Sequence, residues 1–154
     1  MEPIVRMMRA TDLPAVAAMF DRLSDVSRYR RFFSPGTAGP QRELAYLPSV
    51  DGHARLALVA TVDEQVVGVA RYHVGAPGEA EVAVVVEDEW QHHGLGRRLM
   101  TELARAARRE DVMAFAVSVL GDNAPAMRLL RRLAPSVAVG LDHGVFEATV
   151  PLAS

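Results

Sequence analysis

The sequence predicts one mixed α/β domain with three layers, in which helices cover both faces of a mostly antiparallel sheet. Half of the 154 residues are hydrophobic, which suits a single compact domain spanning residues 1–154. Helical and strand periodicities follow the order strand, two helices, three strands, helix, strand, helix and final strands. This mixed order is typical of a sheet flanked by helices on both sides.

The first third of the chain predicts a strand and two helices. Residues 4–9 form the strand, and residues 11–14 supply a cap and a first-turn proline for a helix with one apolar face. Residues 24–33 predict a second, short helix that begins at a capping serine and is rich in arginine and aromatic residues. Residues 34–40 contain two prolines and two glycines and predict a loop.

The middle of the chain predicts strands. Residues 55–61 and 66–74 are β-prone runs joined by a polar turn, the pattern of an antiparallel hairpin. Residues 80–86 are nearly all apolar, which predicts a central strand covered on both faces. Glu81 is the only charged residue inside that run.

The last elements alternate between helix and strand. Residues 94–109 predict an amphipathic helix with an apolar stripe at Leu95, Leu99, Leu103 and Ala107. Residues 112–120 and 145–150 predict strands. Between them, residues 123–133 predict a helix whose inward residues are Ala126, Leu129, Leu130 and Leu133.

Composition excludes several classes of function. The net charge of −2 gives no reason to expect nucleic acid or a membrane as a partner, and no apolar run or basic leader indicates export, so we expect a soluble cytoplasmic protein. Cysteine is absent, which excludes disulfides, thiolate metal sites and a cysteine nucleophile. All 17 basic residues are arginine, which excludes Schiff-base chemistry and a Walker lysine.

A glycine-containing segment predicts a phosphate site. Residues 91–96 read Gln-His-His-Gly-Leu-Gly and connect an apolar strand to a helix, so backbone N–H groups and the positive end of the helix dipole converge there. A side chain at Gly94 or Gly96 would hinder the approach of a pyrophosphate. Arg97 and Arg98 in the first turn either contact phosphate or form a solvated helix face.

This segment resembles the Q/R-x-x-G-x-G/A signature of the Gcn5-related N-acetyltransferase (GNAT) superfamily. In that superfamily the signature lies between a strand with a catalytic acid and an amphipathic helix, followed by a strand and an asparagine-led helix. Glu81, the helix at 94–109, the strand at 112–120 and Asn123 occur in that order. The resemblance covers nearly the whole chain and implies a GNAT-like α/β/α fold with a mostly antiparallel mixed sheet of about seven strands.

The resemblance also implies acetyl-CoA as co-substrate and no metal. Backbone groups of Val84 and Val86 would pair with the pantetheine arm, and an N–H near Val84 or Val85 would stabilise the thioester oxygen. Adjacent histidines without a partner at helical spacing do not predict a metal site. From the resemblance and the glycine segment together, we expect cofactor contacts at twelve residues: Val84, Val85, Val86, Gln91, His92, His93, Gly94, Leu95, Gly96, Arg97, Arg98 and Asn123.

Transfer to an amine requires a base, because a lysine-like amine has a pKa of about 10.4 and attacks only when neutral. Glu81 is the candidate, since its apolar neighbours should raise its pKa by desolvation. Glu79, on the same strand face but nearer the turn, is the rival. Alternatively, Glu81 pairs with Arg71 on the adjacent strand, which would lower its pKa.

A general acid is less evident. Many family members use a tyrosine in N-x-x-A-x-x-L-Y to protonate the departing thiolate, and Leu130 occupies that position here. A free thiol has a pKa of about 8.5, so its thiolate leaves with little assistance. Tyr29, Tyr46 and Tyr72 are the possible substitutes.

Residues 23–35 resemble the L-S-x-E-S-x-Y-x-R-F-F stretch of bacterial Pat-type protein lysine acetyltransferases. This implies a protein lysine as acceptor, with an acceptor wall at Arg28, Tyr29, Phe32 and Phe33. Core packing of these aromatic residues is the alternative. A small amine (polyamine, aminoglycoside or amino acid) and a non-catalytic acyl-CoA sensor remain open, as do a monomer and a homodimer.

Overall fold

The structure is a computed structural model that describes residues 2–33, 36–120, 122–135 and 140–152, without the side chain of Asp142. Within these residues seven strands form one sheet, which confirms the predicted number: β1 (Ile4–Met7), β2 (Arg55–Val62), β3 (Gln65–Val74), β4 (Glu79–Val86), β5 (Ala114–Leu120), β6 (Gly140–Asp142) and β7 (Val145–Pro151). The same residues form five α-helices: α1 (Leu13–Arg22), α2 (Asp25–Phe32), α3 (Ala38–Tyr46), α4 (Leu95–Arg109) and α5 (Ala124–Leu133).

The sheet is mixed and mostly antiparallel, as predicted. Its strands lie in the order β1-β2-β3-β4-β5-β7-β6, and β4 with β5 forms the parallel pair among antiparallel neighbours. The predicted hairpin is β2–β3. Its turn residues Asp63 and Glu64 both have positive φ, the conformation that matches the twist of a two-residue hairpin.

Two hydrophobic clusters on opposite faces of the sheet give the three layers. Tyr72 and Ala70 of β3 pack in one cluster with the α4 stripe, of which Leu99 is fully buried. Val69, which directly precedes Ala70, packs in the other cluster with α1 residues such as Phe20. Because neighbouring residues of a strand point to opposite faces, α4 and α1 lie on opposite sides of the sheet.

Helix α2 forms as predicted, whereas α3 was not predicted. Ser24 caps α2 by accepting a hydrogen bond from the Ser27 N–H at 3.1 Å. The loop predicted over 34–40 is wrong for Ala38, Gly39 and Pro40, which begin α3. Pro40 is tolerated because N–H groups of a first turn have no partner in the helix. Ser34 and Pro35 lie outside the described residues.

Gly39 explains why a loop-like sequence can form this helix. A Cβ added at Gly39 would lie 2.6 Å from Cβ of Phe32, so the residue must lack a side chain for α3 to pack on α2. The close approach brings Glu43 of α3 toward the sheet, where it takes part in the site described below.

Other predictions need small corrections. β1 ends at Met7 instead of Arg9, because Arg9 donates its N–H to Asp12 at 2.7 Å in the turn before α1. β5 begins at Ala114. Leu133, predicted to point inward, is 39% exposed at the end of α5. Among the described residues, no helix combines the length and apolar composition that crossing a bilayer requires.

Candidate functional site

The parallel pair β4–β5 is short, and its divergence opens a groove in the sheet. Residues 79–81 pair with residues 114–116, and the two strands pair no further. β4 then continues to Val86 beside β3, while β5 continues to Leu120 beside β7. From Val82 onward, the backbone groups of β4 that point toward β5 therefore have no strand partner.

Two adjoining cavities occupy this divergence. The inner cavity, about 320 Å³, has Glu81 on its wall, and the outer cavity, about 440 Å³, is bounded by Gly94 and Gly96 at the start of α4. The two cavities share the wall residues Arg30, Arg31, Val84, Asn123, Ala126 and Leu129. They form one groove from Glu81 to the start of α4, with the concave shape that small-molecule sites require.

The loop 91–97 presents free hydrogen-bond donors to the outer cavity. The first backbone bond of α4 runs from the Arg98 N–H to the Gly94 carbonyl at 3.0 Å. Within the described residues, the backbone N–H groups of 92–97 make no hydrogen bond. Free N–H groups at a helix N-terminus attract anions, so the loop has the donors of a phosphate site.

Glycine suits positions 94 and 96 for different physical reasons. Gly94 is the N-cap residue of α4 and has φ +81°, a left-handed conformation that disfavours any side chain. Gly96 lacks that constraint, and a Cβ there would meet Leu129 at 3.8 Å and Val86 at 4.0 Å, which is ordinary contact. The fold itself therefore accommodates a Cβ at Gly96 without a clash, and Gly96 lines the groove.

The outer cavity is strongly basic. Its wall carries five arginines and, among the described residues, no carboxylate; the arginines are Arg30, Arg31, Arg97, Arg128 and Arg132. Sequence analysis missed Arg128 and Arg132, although their i, i+4 spacing on the asparagine-led helix puts them on one face. The overall charge of −2 thus conceals a local basic surface that is complementary to phosphate.

The remaining predicted residues of the loop divide between groove and scaffold. His92 and Arg97 line the outer cavity, and the side chain of Leu95 is buried in the core. His93 lines a separate surface cavity beside the N-terminal residues. Arg98 donates to the Pro3 carbonyl at 2.5 Å in that same region, so its side chain connects α4 to the residues before β1 and does not line the groove.

Gln91 connects the loop to helix α2. Its side-chain amide donates to the Val86 carbonyl at 2.9 Å and to Ser27 Oγ at 3.1 Å. Asp88, in the turn before it, accepts from Ser24 Oγ at 2.7 Å and from Ser27 Oγ at 2.9 Å. We refer to Ser24, Ser27, Asp88 and Gln91 as the serine latch, which holds the loop against α2.

Glu81 has a different environment from the one predicted. Its side chain is exposed, so β4 is not covered on both faces there and the desolvation argument is wrong. The rival Glu79 is half-buried, the reverse of the expected order. Glu81 nevertheless lies on the wall of the inner cavity; it forms no direct ion pair with Arg71, which binds Glu43, although the two charges attract each other.

A buried ionic cluster lies beside Glu81. Glu43 of α3, 6% exposed, accepts from Nη2 of Arg71 at 3.0 Å and lies 2.8 Å from Nη2 of Arg31. Burial would raise the pKa of Glu43, but the hydrogen bond from Arg71 and the charge of Arg31 lower it overall. Three segments distant in sequence supply these residues, and sequence analysis recognised only Arg71.

The predicted acceptor residues lie in different places. Phe33 lines the inner cavity. Phe32 packs edge-to-face on Phe20 at 5.4 Å, as the core-packing alternative expected. Arg28 donates to the carbonyls of Phe20 and Leu23 at the end of α1, and Tyr29 is exposed outside the groove.

The groove has no tyrosine among its described residues. The Tyr72 hydroxyl donates to the His53 carbonyl at 2.7 Å, and burial raises its pKa to about 12. The ring of Tyr46 covers Arg71 at 4.9 Å. Leu130 lines the inner cavity at the position where many family members have tyrosine.

Sequence comparisons identify relatives over most of the chain. The family model described as "Acetyltransferase (GNAT) family" matches residues 23–134. An acetyltransferase of Pseudomonas aeruginosa is 32% identical over 111 residues, which cover 69% of this chain. The match spans 60% of that protein's length.

Structural comparisons find the same fold. The GNAT domain of PAT from S. lividans superposes with a TM-score of 0.87 at 26% identity, covering 97% of this chain and 90% of that one. A putative acetyltransferase from Salmonella typhimurium, solved with its cofactor acetyl-CoA, has a TM-score of 0.79 at 19% identity, covering 100% and 96%. The second likeness concerns the fold alone.

Proposed function

The chain belongs to the acetyltransferase (GNAT) family, and we propose that it transfers the acetyl group of acetyl-CoA to a primary amine, with Glu81 as general base. The observation that supports this most strongly is the continuous groove from Glu81 to the start of α4. One end of the groove offers free N–H donors and arginines, and the other end offers a carboxylate.

The phosphates of acetyl-CoA would bind in the outer cavity. The free N–H groups of residues 92–97 suit the pyrophosphate, and Arg97, Arg128 and Arg132 supply charge-assisted donors for phosphate oxygens. The putative acetyltransferase from Salmonella typhimurium, which has the same fold, was solved with acetyl-CoA. This proposal requires no metal.

The pantetheine arm would follow the diverging edge of β4. Backbone groups there have no strand partner, so Val84 and the N–H of Val86 could bond to the amides of the arm as to another strand, while the Val86 carbonyl accepts from Gln91. An N–H near Val84 or Val85 would also stabilise negative charge on the thioester oxygen. Asn123, shared by both cavities, lines the path between them.

The reaction needs one proton acceptor and one leaving group. Glu81 takes one proton from the ammonium form of the acceptor, and the neutral nitrogen then forms a bond to the carbonyl carbon of the acetyl group. The carbon–sulfur bond breaks, coenzyme A departs as a thiolate, and the second proton that the nitrogen releases passes to that thiolate through solvent. With a thiol pKa of about 8.5, this departure needs little help, which fits an apolar Leu130 in the cavity.

The acceptor that we propose is a lysine side chain of a cytoplasmic protein. This rests on the Pat-like segment at 23–35 and on the likeness to the GNAT domain of S. lividans PAT. In this chain three described residues of that segment lie on the inner cavity wall, namely Arg30, Arg31 and Phe33. An exposed Glu81 is reachable by a side chain that enters from the α2 side.

Measuring thiol release from acetyl-CoA tests the proposal. The wild type and Glu81→Gln are assayed with lysine-bearing proteins, polyamines, aminoglycosides and amino acids, and Glu79→Gln is the matched control. We expect kcat to fall by about a hundredfold or more for Glu81→Gln, with unchanged affinity for acetyl-CoA, and little change for Glu79→Gln. Full turnover by Glu81→Gln would exclude the assigned base. Tight acetyl-CoA binding without turnover would favour a sensor.

A further inference from the structure

Arg71 is placed to recognise a part of the acceptor other than its amine. Arg71 is opposite Ala83 in the β3–β4 register, and Glu81 lies two residues from Ala83 on the same face. Diagonal neighbours of this kind have Cα atoms about 7–8 Å apart. Arg71 and Glu81 both line the inner cavity.

The orientation of the Arg71 guanidinium is fixed before any ligand binds. Its Nε and Nη2 atoms donate to Glu43, and the ring of Tyr46 covers it at 4.9 Å. The remaining nitrogen, Nη1, makes no hydrogen bond within the described residues. Since Arg71 lines the cavity and is not fully buried, two N–H donors remain for a ligand.

The charge around Glu81 favours an anion next to the amine. Arg30, Arg31 and Arg71 line the inner cavity with Glu81, and Glu43 compensates for one of the three guanidiniums. Arg30 forms no ion pair in the described part of the chain and donates only to the Asp122 carbonyl at 3.2 Å. With Glu81 ionised, one positive charge remains, which disfavours a polycation.

We infer that the acceptor carries a carboxylate close to its reactive amine, so that Arg71 Nη1 binds the carboxylate while the amine approaches Glu81. This inference rests on the proposed function and names the chemistry of the acceptor. The carboxylate belongs either to a free amino acid or to an acidic residue beside the target lysine. A polyamine or aminoglycoside lacks this group.

Matched acceptors test the inference. Free amino acids are compared with their amides, and lysine peptides with a neighbouring glutamate are compared with the same peptides carrying glutamine. We expect kcat/KM to be about tenfold higher or more for the carboxylate in one of the two pairs, and the pair that discriminates identifies the source. The amine of an amino-acid amide has a lower pKa than the amine of the free amino acid. If the enzyme did not recognise the carboxylate, the amide would therefore react faster.

Arginine variants assign the effect to Arg71. Arg71→Gln should remove the preference by raising KM for the carboxylate acceptor about tenfold or more relative to KM for the uncharged acceptor. Arg71→Lys should restore part of it. Arg109→Gln, on an exposed arginine of α4 outside the groove, changes the net charge equally and should have no effect.

Equal kcat/KM for acid and amide in both pairs would overturn the inference and leave the proposed function intact. The same conclusion follows if Arg71→Gln lowers both rates equally in a folded protein. If none of the acceptors is acetylated, that result contradicts the proposed function instead. Calorimetric binding of the amino acids and their amides, in the presence of coenzyme A, then decides the inference: stronger binding of the acid supports it, and equal binding overturns it.

Discussion

At the scale of single residues, Glu43 has the most demanding environment. Its carboxylate is buried and binds two guanidiniums, so its removal leaves two like charges facing each other. Breaking a buried pair in this way costs about 3–5 kcal/mol. We predict that Glu43→Gln lowers the free energy of unfolding by roughly that amount in urea denaturation.

The matched control is Glu102→Gln, which removes the half-exposed partner of Arg105. An exposed pair of this kind contributes about 0.2–1 kcal/mol. Similar losses from both variants would contradict the role given to Glu43.

The same residue predicts a pH dependence. The guanidiniums lower the pKa of Glu43 below the unfolded value of about 4.3, so its stabilisation is complete above that pH and disappears as pH falls through the native value. The difference in stability between wild type and Glu43→Gln should therefore shrink below about pH 4. A difference that grows on acidification would contradict this sign.

The sequence alone singled out Glu81 as the candidate base but did not predict its surroundings. An isolated charge in an apolar run indicates a special residue, and the run itself indicated burial. Glu81 is not buried because β4 and β5 diverge after three residue pairs, a tertiary feature that no local sequence pattern encodes. Likewise, no local sequence pattern predicts the ion pair between Arg31 and Glu43, because this pair forms only when α2 and α3 pack together.

At the scale of elements, the two glycines at the start of α4 allow folding and binding to be tested separately. Gly96→Val should keep the fold, since the protein leaves room there, and should abolish acetyl-CoA binding measured by calorimetry. Gly94→Ala forces a side chain into a left-handed conformation and should cost about 1–2 kcal/mol of stability. Normal acetyl-CoA affinity in Gly96→Val would refute the phosphate site.

The serine latch makes a second prediction at this scale. Asp88 lines neither cavity, yet its hydrogen bonds to Ser24 and Ser27 hold the loop against α2. Asp88→Ala should weaken acetyl-CoA binding several-fold by freeing the loop. Asp25→Ala, on an exposed carboxylate of the same helix, is the control and should leave the affinity unchanged. Equal affinities in both variants would show that the latch does not position the loop.

Periodicity predicted the long elements well and the irregular ones poorly. The α4 stripe and the β2–β3 hairpin are strong local patterns, and both formed as predicted. Helix α3 was missed because its first residues, Ala38, Gly39 and Pro40, favour a loop. Pro40 is tolerated because the N–H groups of the first turn have no partner in the helix. Gly39 is required by the close contact with Phe32, which only the packed structure reveals.

At the scale of the whole molecule, charge is distributed far from evenly. A net charge of −2 gave no indication of an anionic ligand, although five arginines surround the outer cavity. Arg128 and Arg132 come from α5, and Arg30 and Arg31 come from α2, so the basic surface depends on the assembled fold. The fold was predictable because the strand, glycine loop, helix, strand and asparagine-led helix retain their order, whereas the electrostatic surface was not.

The central claim is acetyl transfer from acetyl-CoA to an amine through the groove between β4 and β5. The most direct measurement follows acetyl-CoA labelled with ¹³C in the acetyl group, with mass spectrometry of lysine peptides and amino acids after incubation with the wild type and with Glu81→Gln. We expect a labelled N-acetyl group on the amine in the wild-type reaction and about a hundredfold less in the variant. Label recovered only as acetate or as intact acetyl-CoA, despite tight cofactor binding, would contradict it.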